Sequence, residues 1–456
     1  MVGVNVDDGL DVLVQGGLVV TSRGVVRADI GVVGGSVRNI GPAISPPQGA
    51  KVIDATGKLV LPGAVDVHVH PIYLDDLHVT SVTAAHGGVT TVIHFAYAKP
   101  GERVVSTLDR FRDNGKVQSI LDFGLHVGLF DVARQIEEVP AAIESGSAGI
   151  KVFLTYAKLK WMTDDYWLTA LTDTVAQSRG MVMVHAENGL ATDYLEDKHV
   201  RAGRSALDTF TATRPDLLEA EAVNRAMTIA HITSCALYIV HNSAAACLEP
   251  LHRARERGWR VYGETCPQYL VLSDKTTQRL GPLAKIGPPL RTREDNEALW
   301  RALADGTLDA IGSDHAPKLK RPEDDFFEAA FGSPQIETML PVVYHWGVNG
   351  GRIPLPRLVE VMCETPAKLF GLYPRKGTLQ VGSDADLVII DPAQTRTLSA
   401  ETQHSKAGYT LYEGLEVTGM PILTMQRGEV VVDHGELIAR AGRAQFLPTT
   451  TAHLYA

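Results

Sequence analysis

The chain of 456 residues exceeds one ordinary domain without requiring three. With 45% hydrophobic and 21% charged residues, 42 Gly and 24 Pro, it has the profile of a soluble globular protein with many turns and a large core. A net charge of −10, from 43 Lys and Arg against 53 Asp and Glu, argues against a nucleic-acid or anionic-membrane partner.

Residues 1–10 include Asp7 and Asp8 and lack a basic start followed by a long apolar run, so they read as neither signal peptide nor anchor. No later apolar run reaches membrane-spanning length. Residues 11–60 hold short β-like runs broken by glycines, such as Asp11-Val12-Leu13-Val14-Gln15 and Asp29-Ile30-Gly31-Val32-Val33. Runs of the same texture recur at 383–391 and 428–435. A smaller β-sandwich domain built from residues 1–60 plus 373–440 is therefore expected, with residues 441–456 as a tail.

Residues 61–372 alternate strand-like and helix-like segments. Eight strands are predicted at 65–70, 91–95, 122–128, 150–156, 181–186, 237–242, 260–265 and 308–312. Between them lie helices with readable starts: Thr163 as a cap before Asp164, Pro215 before Asp216, and Thr292 before Arg293. Eight strands alternating with helices predict an α/β fold, a (β/α)8 TIM-like barrel. The four cysteines (Cys235, Cys247, Cys266, Cys363) form no CxxC pair, which fits reduced thiols in a cytoplasmic protein.

Chemistry in such a barrel sits at the C-terminal ends of the strands. The first strand, Val65-Asp66-Val67-His68-Val69-His70, alternates with period two, so His68 and His70 share one face. Paired imidazoles at a strand end suit a metal, although two ordinary half-buried histidines give the same pattern. The fourth strand carries Lys151 in an apolar run, the fifth ends in His185, the sixth in His241, and the eighth leads to Asp314. Alone, His185 or His241 reads as a hydrogen-bonded core histidine, Asp314 as a turn or cap, and Lys151 as a side chain that snorkels to solvent. Their convergence on one rim favours a metal site. His94 and His126 read as structural or supporting residues, and His315 as a residue that orients groups around the site.

This set resembles the binuclear-metal amidohydrolase superfamily, and more narrowly the dihydropyrimidinase/hydantoinase group of cyclic amidohydrolases. Supporting motifs run along nearly the whole chain: Gly87-Gly88-Val89-Thr90-Thr91, His185-Ala186-Glu187-Asn188-Gly189, Gly263-Glu264-Thr265-Cys266-Pro267, Pro288-Pro289-Leu290-Arg291 and Ser313-Asp314-His315. The resemblance implies two divalent metal ions, with His68, His70 and Asp314 on one, and His185 and His241 on the other. It implies Lys151 carboxylated to a bridging carbamate. Zinc is the metal expected from nitrogen and oxygen ligands, and manganese or cobalt can substitute. The implied reaction is hydrolysis of a cyclic amide (hydantoin, dihydropyrimidine or a related ureide or imide) by a metal-bridging hydroxide. Asp314 would act as general base and acid, and Tyr156 would stabilise the oxyanion. A homotetramer or homodimer is implied as well, with the tail as a contact.

Several positions depart from the group. Gly287 stands where a serine is usual, and Phe331 where an asparagine is common; in the family both positions bind the ring amide largely through backbone groups. The loop at 71–78 is shorter than the group's substrate-gating loop. Pro71-Ile72-Tyr73-Leu74 replaces the arginine with which dihydroorotases hold a carboxylate, so no substrate carboxylate is expected there. An allantoinase-like or other cyclic-imide hydrolase remains an alternative. So does a non-catalytic scaffold paralogue, although all six metal-binding positions and the tyrosine are present.

Overall fold

The computed structural model describes residues 9–147, 149–204 and 206–456; residues 1–8, which carry most of the reading of the N-terminus, lie outside the described residues. Among the described residues no helix is long and apolar enough to cross a membrane.

Eight parallel strands pair in chain order: Ala64–Val69, Val89–Ala98, Asp122–Leu129, Gly149–Phe153, Met181–His185, Ala236–Ile239, Val261–Thr265 and Ala310–Ile311. Val69 bridges His315 in parallel and the His70 amide donates to the His315 carbonyl at 3.0 Å, which returns the last strand to the first and closes the barrel. Helices cover the outside and side chains fill the interior, so almost every strand position is buried. Glycines on the strands leave room for inward-facing rings. A Cβ on Gly128 would lie 2.2 Å from the Tyr97 ring, and one on Gly149 would lie 2.2 Å from His126 Nδ1.

The predicted strands appear with different ends, and the differences matter for the site. The fourth stops at Phe153 rather than running to Tyr156: the Leu154 amide makes the last rung, to the His185 carbonyl at 2.9 Å, and the Phe153 and Leu154 carbonyls then accept from the Thr163 and Gly189 amides at 2.8 and 2.9 Å. The eighth shrinks to Ala310–Ile311. Asp164, not Thr163, caps the helix Asp165–Gln177: its carboxylate accepts from the Trp167 amide at 3.0 Å, while the Thr163 amide is spent on the Phe153 carbonyl. Thr292 caps Arg293–Asp305 as expected, with Asp295 completing a capping box.

Two further sheets come from the chain ends. A four-stranded sheet has the order Ser36–Gly41, Asp29–Val33, Val12–Gln15, Lys51–Asp54. A seven-stranded sheet runs Glu436–Leu437, Glu429–Asp433, Glu416–Gln426, Leu387–Thr397, Leu59–Pro62, Leu18–Thr21, Gly24–Arg27, so that segments more than 300 residues apart lie side by side. Val12, Val14, Ile30, Val60, Ile389 and Met425 belong to the apolar core that these sheets share.

The barrel and the long sheet are pinned by one buried ion cluster. Lys376 Nζ lies 2.7 Å from Asp122, 2.8 Å from Asp386 and 2.9 Å from Asp384. Asp122 opens the third barrel strand, and Asp386 immediately precedes the strand Leu387–Thr397. Burial opposes the Lys376 charge, but the three carboxylates outweigh it and raise its pKa. The tail lies against its own barrel. The Phe123 amide donates to Gln445, the Leu447 amide to Phe123, and the Tyr455 hydroxyl to the Gly180 carbonyl, all near the strand starts and thus on the face opposite the metal-ligand candidates. Removing one partner of a buried ion cluster strands the others, at a cost of about 3–5 kcal/mol. Lys376→Met is therefore expected to lower unfolding free energy by about that amount in a denaturant titration; a loss below about 1 kcal/mol, the range of an exposed pair, would contradict this role.

Candidate metal and catalytic centre

The C-terminal strand ends bring His68, His70, Lys151, His185, His241 and Asp314 around one cavity of about 550 Å³. His68 and Lys151 are sealed from solvent, and His70, His185 and His241 are nearly so. Three residues of this rim hold left-handed backbone without being glycine: His241 at φ 40°, Asp314 at φ 52° and Tyr156 at φ 64°. Such a conformation costs roughly 1–3 kcal/mol per residue and persists where the surroundings over-determine it, as at functional sites. Here it turns side chains inward just after a strand has ended.

Three of the four imidazoles have one nitrogen tied back and one facing the cavity; the fourth, His241, has no partner at Nδ1. His68 Nδ1 is 2.6 Å from Glu264 Oε1, leaving Nε2 3.2 Å from Asp314 Oδ1 without hydrogen-bond geometry. His70 Nδ1 meets the Tyr97 hydroxyl at 3.0 Å, and Nε2 lies 3.0 Å from Asp314 Oδ1. His185 Nε2 is 2.7 Å from Glu187, leaving Nδ1 3.1 Å from His241 Nε2. Ligand atoms of His68, His241 and Asp314 all fall within 4.8 Å of one another. Orienting a metal-binding imidazole through its other nitrogen fixes the tautomer that offers a lone pair to the ion.

Electrostatics agree with this arrangement. Burial drives His70 down to about 4 and lowers His185 and His241 too, which keeps them neutral and able to ligate. His68 differs: burial opposes its charge, but Glu264 and Asp314 lift it to about 9. Burial likewise opposes ionisation of Asp314, yet neighbouring histidines hold it well below the usual carboxylate range. Lys151 Nζ has no hydrogen-bond partner and sits 5.5 Å from the centroids of Phe95 and Phe153. Burial lowers it to about 7. An unpartnered buried amine beside imidazole lone pairs fits a metal centre and leaves no protein group to satisfy that amine otherwise. Burial also pushes the nearby Cys266 thiol well up.

Tyr156, Gly287 and Phe331 meet at the cavity wall. Tyr156 and Phe331 rings lie 5.6 Å apart, and a Cβ on Gly287 would approach the Tyr156 hydroxyl to 3.0 Å and Phe331 Cδ1 to 3.1 Å. The two departures from the group are therefore coupled, since the missing side chain at 287 makes room for the ring at 331. Other histidines do different work. His94 and His126 are buried below the rim, each driven by burial to about 3. His315 faces away from the cavity, with Nε2 3.1 Å from Asp75 and Nδ1 accepting from the Gln335 amide, so it ties the loop after His70 to the helix Ile336–Val343. Asp66 accepts from the His68 and Ser313 amides, joining strand one to the turn after strand eight.

Sequence reasoning did not assign Glu264, Glu187, Arg214 or Tyr97. Glu264 accepts from His68, from the His241 amide at 3.1 Å and from the Tyr238 hydroxyl at 3.0 Å. Arg214 donates to Glu187 at 2.9 Å and stacks 4.7 Å from Phe331. Both carboxylates lie inside quoted motifs, and that position was the available signal.

A closed parallel barrel with imidazoles, a buried lysine and an aspartate at its strand ends defines a metal-dependent hydrolase of the amidohydrolase class. The amidohydrolase family profile matches residues 59–431, and the chain belongs to that family, which implies a binuclear metal centre. Within it the chain falls in the hydantoinase/dihydropyrimidinase group. It is 36% identical to a D-hydantoinase of Ralstonia pickettii over 454 residues, covering 96% of this chain and 98% of that one. It is 37% identical to an L-hydantoinase of Paenarthrobacter aurescens over 453 residues, with the same coverage. The crystal structure of dihydropyrimidinase from Brevibacillus agri NCHU1002 superimposes with a TM-score of 0.92 at 34% identity, covering 96% and 99% of the two chains.

Outer partners of metal-binding histidines typically govern metal affinity by about 10–100-fold. Glu264→Gln is expected to weaken metal binding by about that factor in competition with a chromogenic chelator; unchanged affinity would remove Glu264 from the centre's support.

Proposed function

We propose that this chain hydrolyses a cyclic amide of the hydantoin or dihydropyrimidine type in a metal-dependent reaction. One observation carries the reading: Lys151, buried and unpartnered, stands among four imidazoles and Asp314 at the inner end of a substrate-sized cavity. The hydantoinase and dihydropyrimidinase relatives support it and weigh against the allantoinase-like alternative.

In this reading His68, His70 and Asp314 would hold one ion and His185 and His241 the second, and Lys151, once carboxylated, would be an anionic ligand to both. Bound divalent ions, most simply zinc, supply Lewis acidity that activates water and polarises the amide carbonyl. A bare ammonium would be repelled there, whereas a carbamate is an anionic ligand. The lowered pKa of Lys151 supports carboxylation, because only the neutral amine adds carbon dioxide and it is well populated at neutral pH. Asp314 takes a proton from the attacking water and passes it to the leaving ring nitrogen. Tyr156 stays protonated, since burial raises its pKa, and donates to the oxygen that gains charge. Arg214, fixed by Glu187, holds Phe331 and Tyr156 against the ring-binding wall.

A cytoplasmic location belongs to the same reading, supported by four buried free cysteines. So does assembly as a homotetramer. The tail is engaged within its own chain, while the exposed Leu190, Tyr194 and Val200 on Gly189–Arg201 and Leu217 on Asp216–Ile232 supply apolar surface for it.

The test is a hydrolysis panel of dihydrouracil, hydantoin and 5-substituted hydantoins, allantoin and succinimide with zinc-loaded enzyme in bicarbonate. Turnover is expected on the hydantoins or dihydrouracil, and activity on no ring of the panel overturns the reading. Tyr156→Phe is expected to lower kcat about 10²–10³-fold, the loss of one oxyanion donor, with metal content intact. Near-normal turnover would remove Tyr156 from that role.

A further inference from the structure

Apart from Lys151, the cations that line the cavity receiving the ring are, with one exception, engaged by protein groups. Arg214 is paired with Glu187 at 2.9 Å. Lys285 donates to the Phe327 carbonyl at 2.5 Å. Lys158 at the mouth is shared by Glu196 and Asp197 at 3.0 and 2.7 Å. Lys318 is different. It lines the same cavity four residues beyond Asp314, its ammonium lies over the Tyr73 ring 2.7 Å from the centroid, and no side-chain carboxylate of the described residues pairs with it. The acid whose charge it feels is Asp314, which already faces His68 and His70.

Partial burial opposes the Lys318 charge and lowers its pKa to about 7, and the aromatic face offsets only part of the cost of an ammonium without an anionic partner. The loop after His70 contributes the ring rather than an arginine, and the Leu74 amide donates to the Pro317 carbonyl at 3.2 Å, so Tyr73 and Lys318 are carried by segments joined by the backbone. The lysine therefore stands on a built support at the wall of the cavity.

Resting on the cyclic-amide reading above, we propose that Lys318 recognises an anionic substituent, so that the substrate class is a cyclic amide bearing a carboxylate side arm. The absence of an arginine behind His70 excludes a carboxylate held at that place; Lys318 supplies the counter-charge from the opposite segment, over Tyr73. Ring opening then yields a product with two carboxylates, the side arm on Lys318 and the new one at the former ring carbonyl.

The experiment compares 5-(2-carboxyethyl)hydantoin with its isosteric carboxamide, 5-(2-carbamoylethyl)hydantoin, by kcat/KM and by calorimetric binding, in wild-type enzyme, Lys318→Met and Lys318→Glu. A charge-assisted pair in a partly desolvated pocket predicts an acid-over-amide preference of about tenfold to a hundredfold in the wild type. That ratio should fall towards one in Lys318→Met. It should invert in Lys318→Glu, which should prefer 5-(3-aminopropyl)hydantoin. Equal effects of Lys318→Met on both rings overturn the proposal, because a lysine that only packs on Tyr73, or only meets the newly formed carboxylate, affects both alike. Opening of the carboxamide ring with no acid preference also overturns it and leaves the hydrolase reading standing. Tighter binding of the acid without turnover of either ring supports Lys318 and overturns the hydrolase reading instead.

Discussion

An amine sealed in the barrel interior with nothing to bond is the constraint on which the rest of the site depends. Lys151 pairs in register with Gly128 on one side and Met183 on the other, so neither residue directly opposite offers it a hydrogen bond. Gly128 has a second consequence: the space it leaves admits the Tyr97 ring, whose hydroxyl orients His70. The surrounding imidazoles are held largely neutral by the same burial that lowers the lysine. A cluster like this would be a defect in an ordinary core, where buried polar atoms are paired. It becomes coherent in a family whose members hold a binuclear metal centre.

Rigidity around that centre comes from buried carboxylates. Glu264 and Glu187 each fix one histidine, and each is anchored in turn, Glu264 by the Tyr238 hydroxyl and Glu187 by Arg214. Gly312 lets the turn before Asp314 pass close to this frame, since a Cβ there would lie 2.5 Å from Glu264 Oε2. The left-handed backbone at Tyr156, His241 and Asp314 is held within the same frame. Further out on the cavity wall, Gly287 gives way to Phe331 and Lys318 lies on Tyr73.

The barrel was legible because period-two alternation and apolar runs are local, and His68 with His70 on one face follows from that period alone. Candidate ligands were legible because they fall at strand ends, where a barrel concentrates chemistry. What could not be read has a common cause. The chain after Phe153, where Tyr156 takes φ 64°, is held by the Gly189 amide on the Leu154 carbonyl, some thirty-five residues away. The pairing of Lys376 with Asp122 spans 254 positions, and that of Glu264 with His68 spans 196. Strands such as Gly24–Arg27, Ser36–Gly41 and Glu416–Gln426 were missed because their patterns are short, exposed or interrupted.

The central claim is that Lys151 becomes the bridge of a two-metal centre. Its most direct measurement is metal stoichiometry by mass spectrometry of metal-stripped protein reloaded with zinc, with and without bicarbonate, read beside the carbamate carbon in 13C-bicarbonate NMR. The account predicts two ions per chain with bicarbonate, a carbamate resonance that is lost in Lys151→Ala, and fewer bound ions when carbon dioxide is excluded. Two tightly bound ions in Lys151→Ala, or none in the wild type under any loading condition, would contradict it.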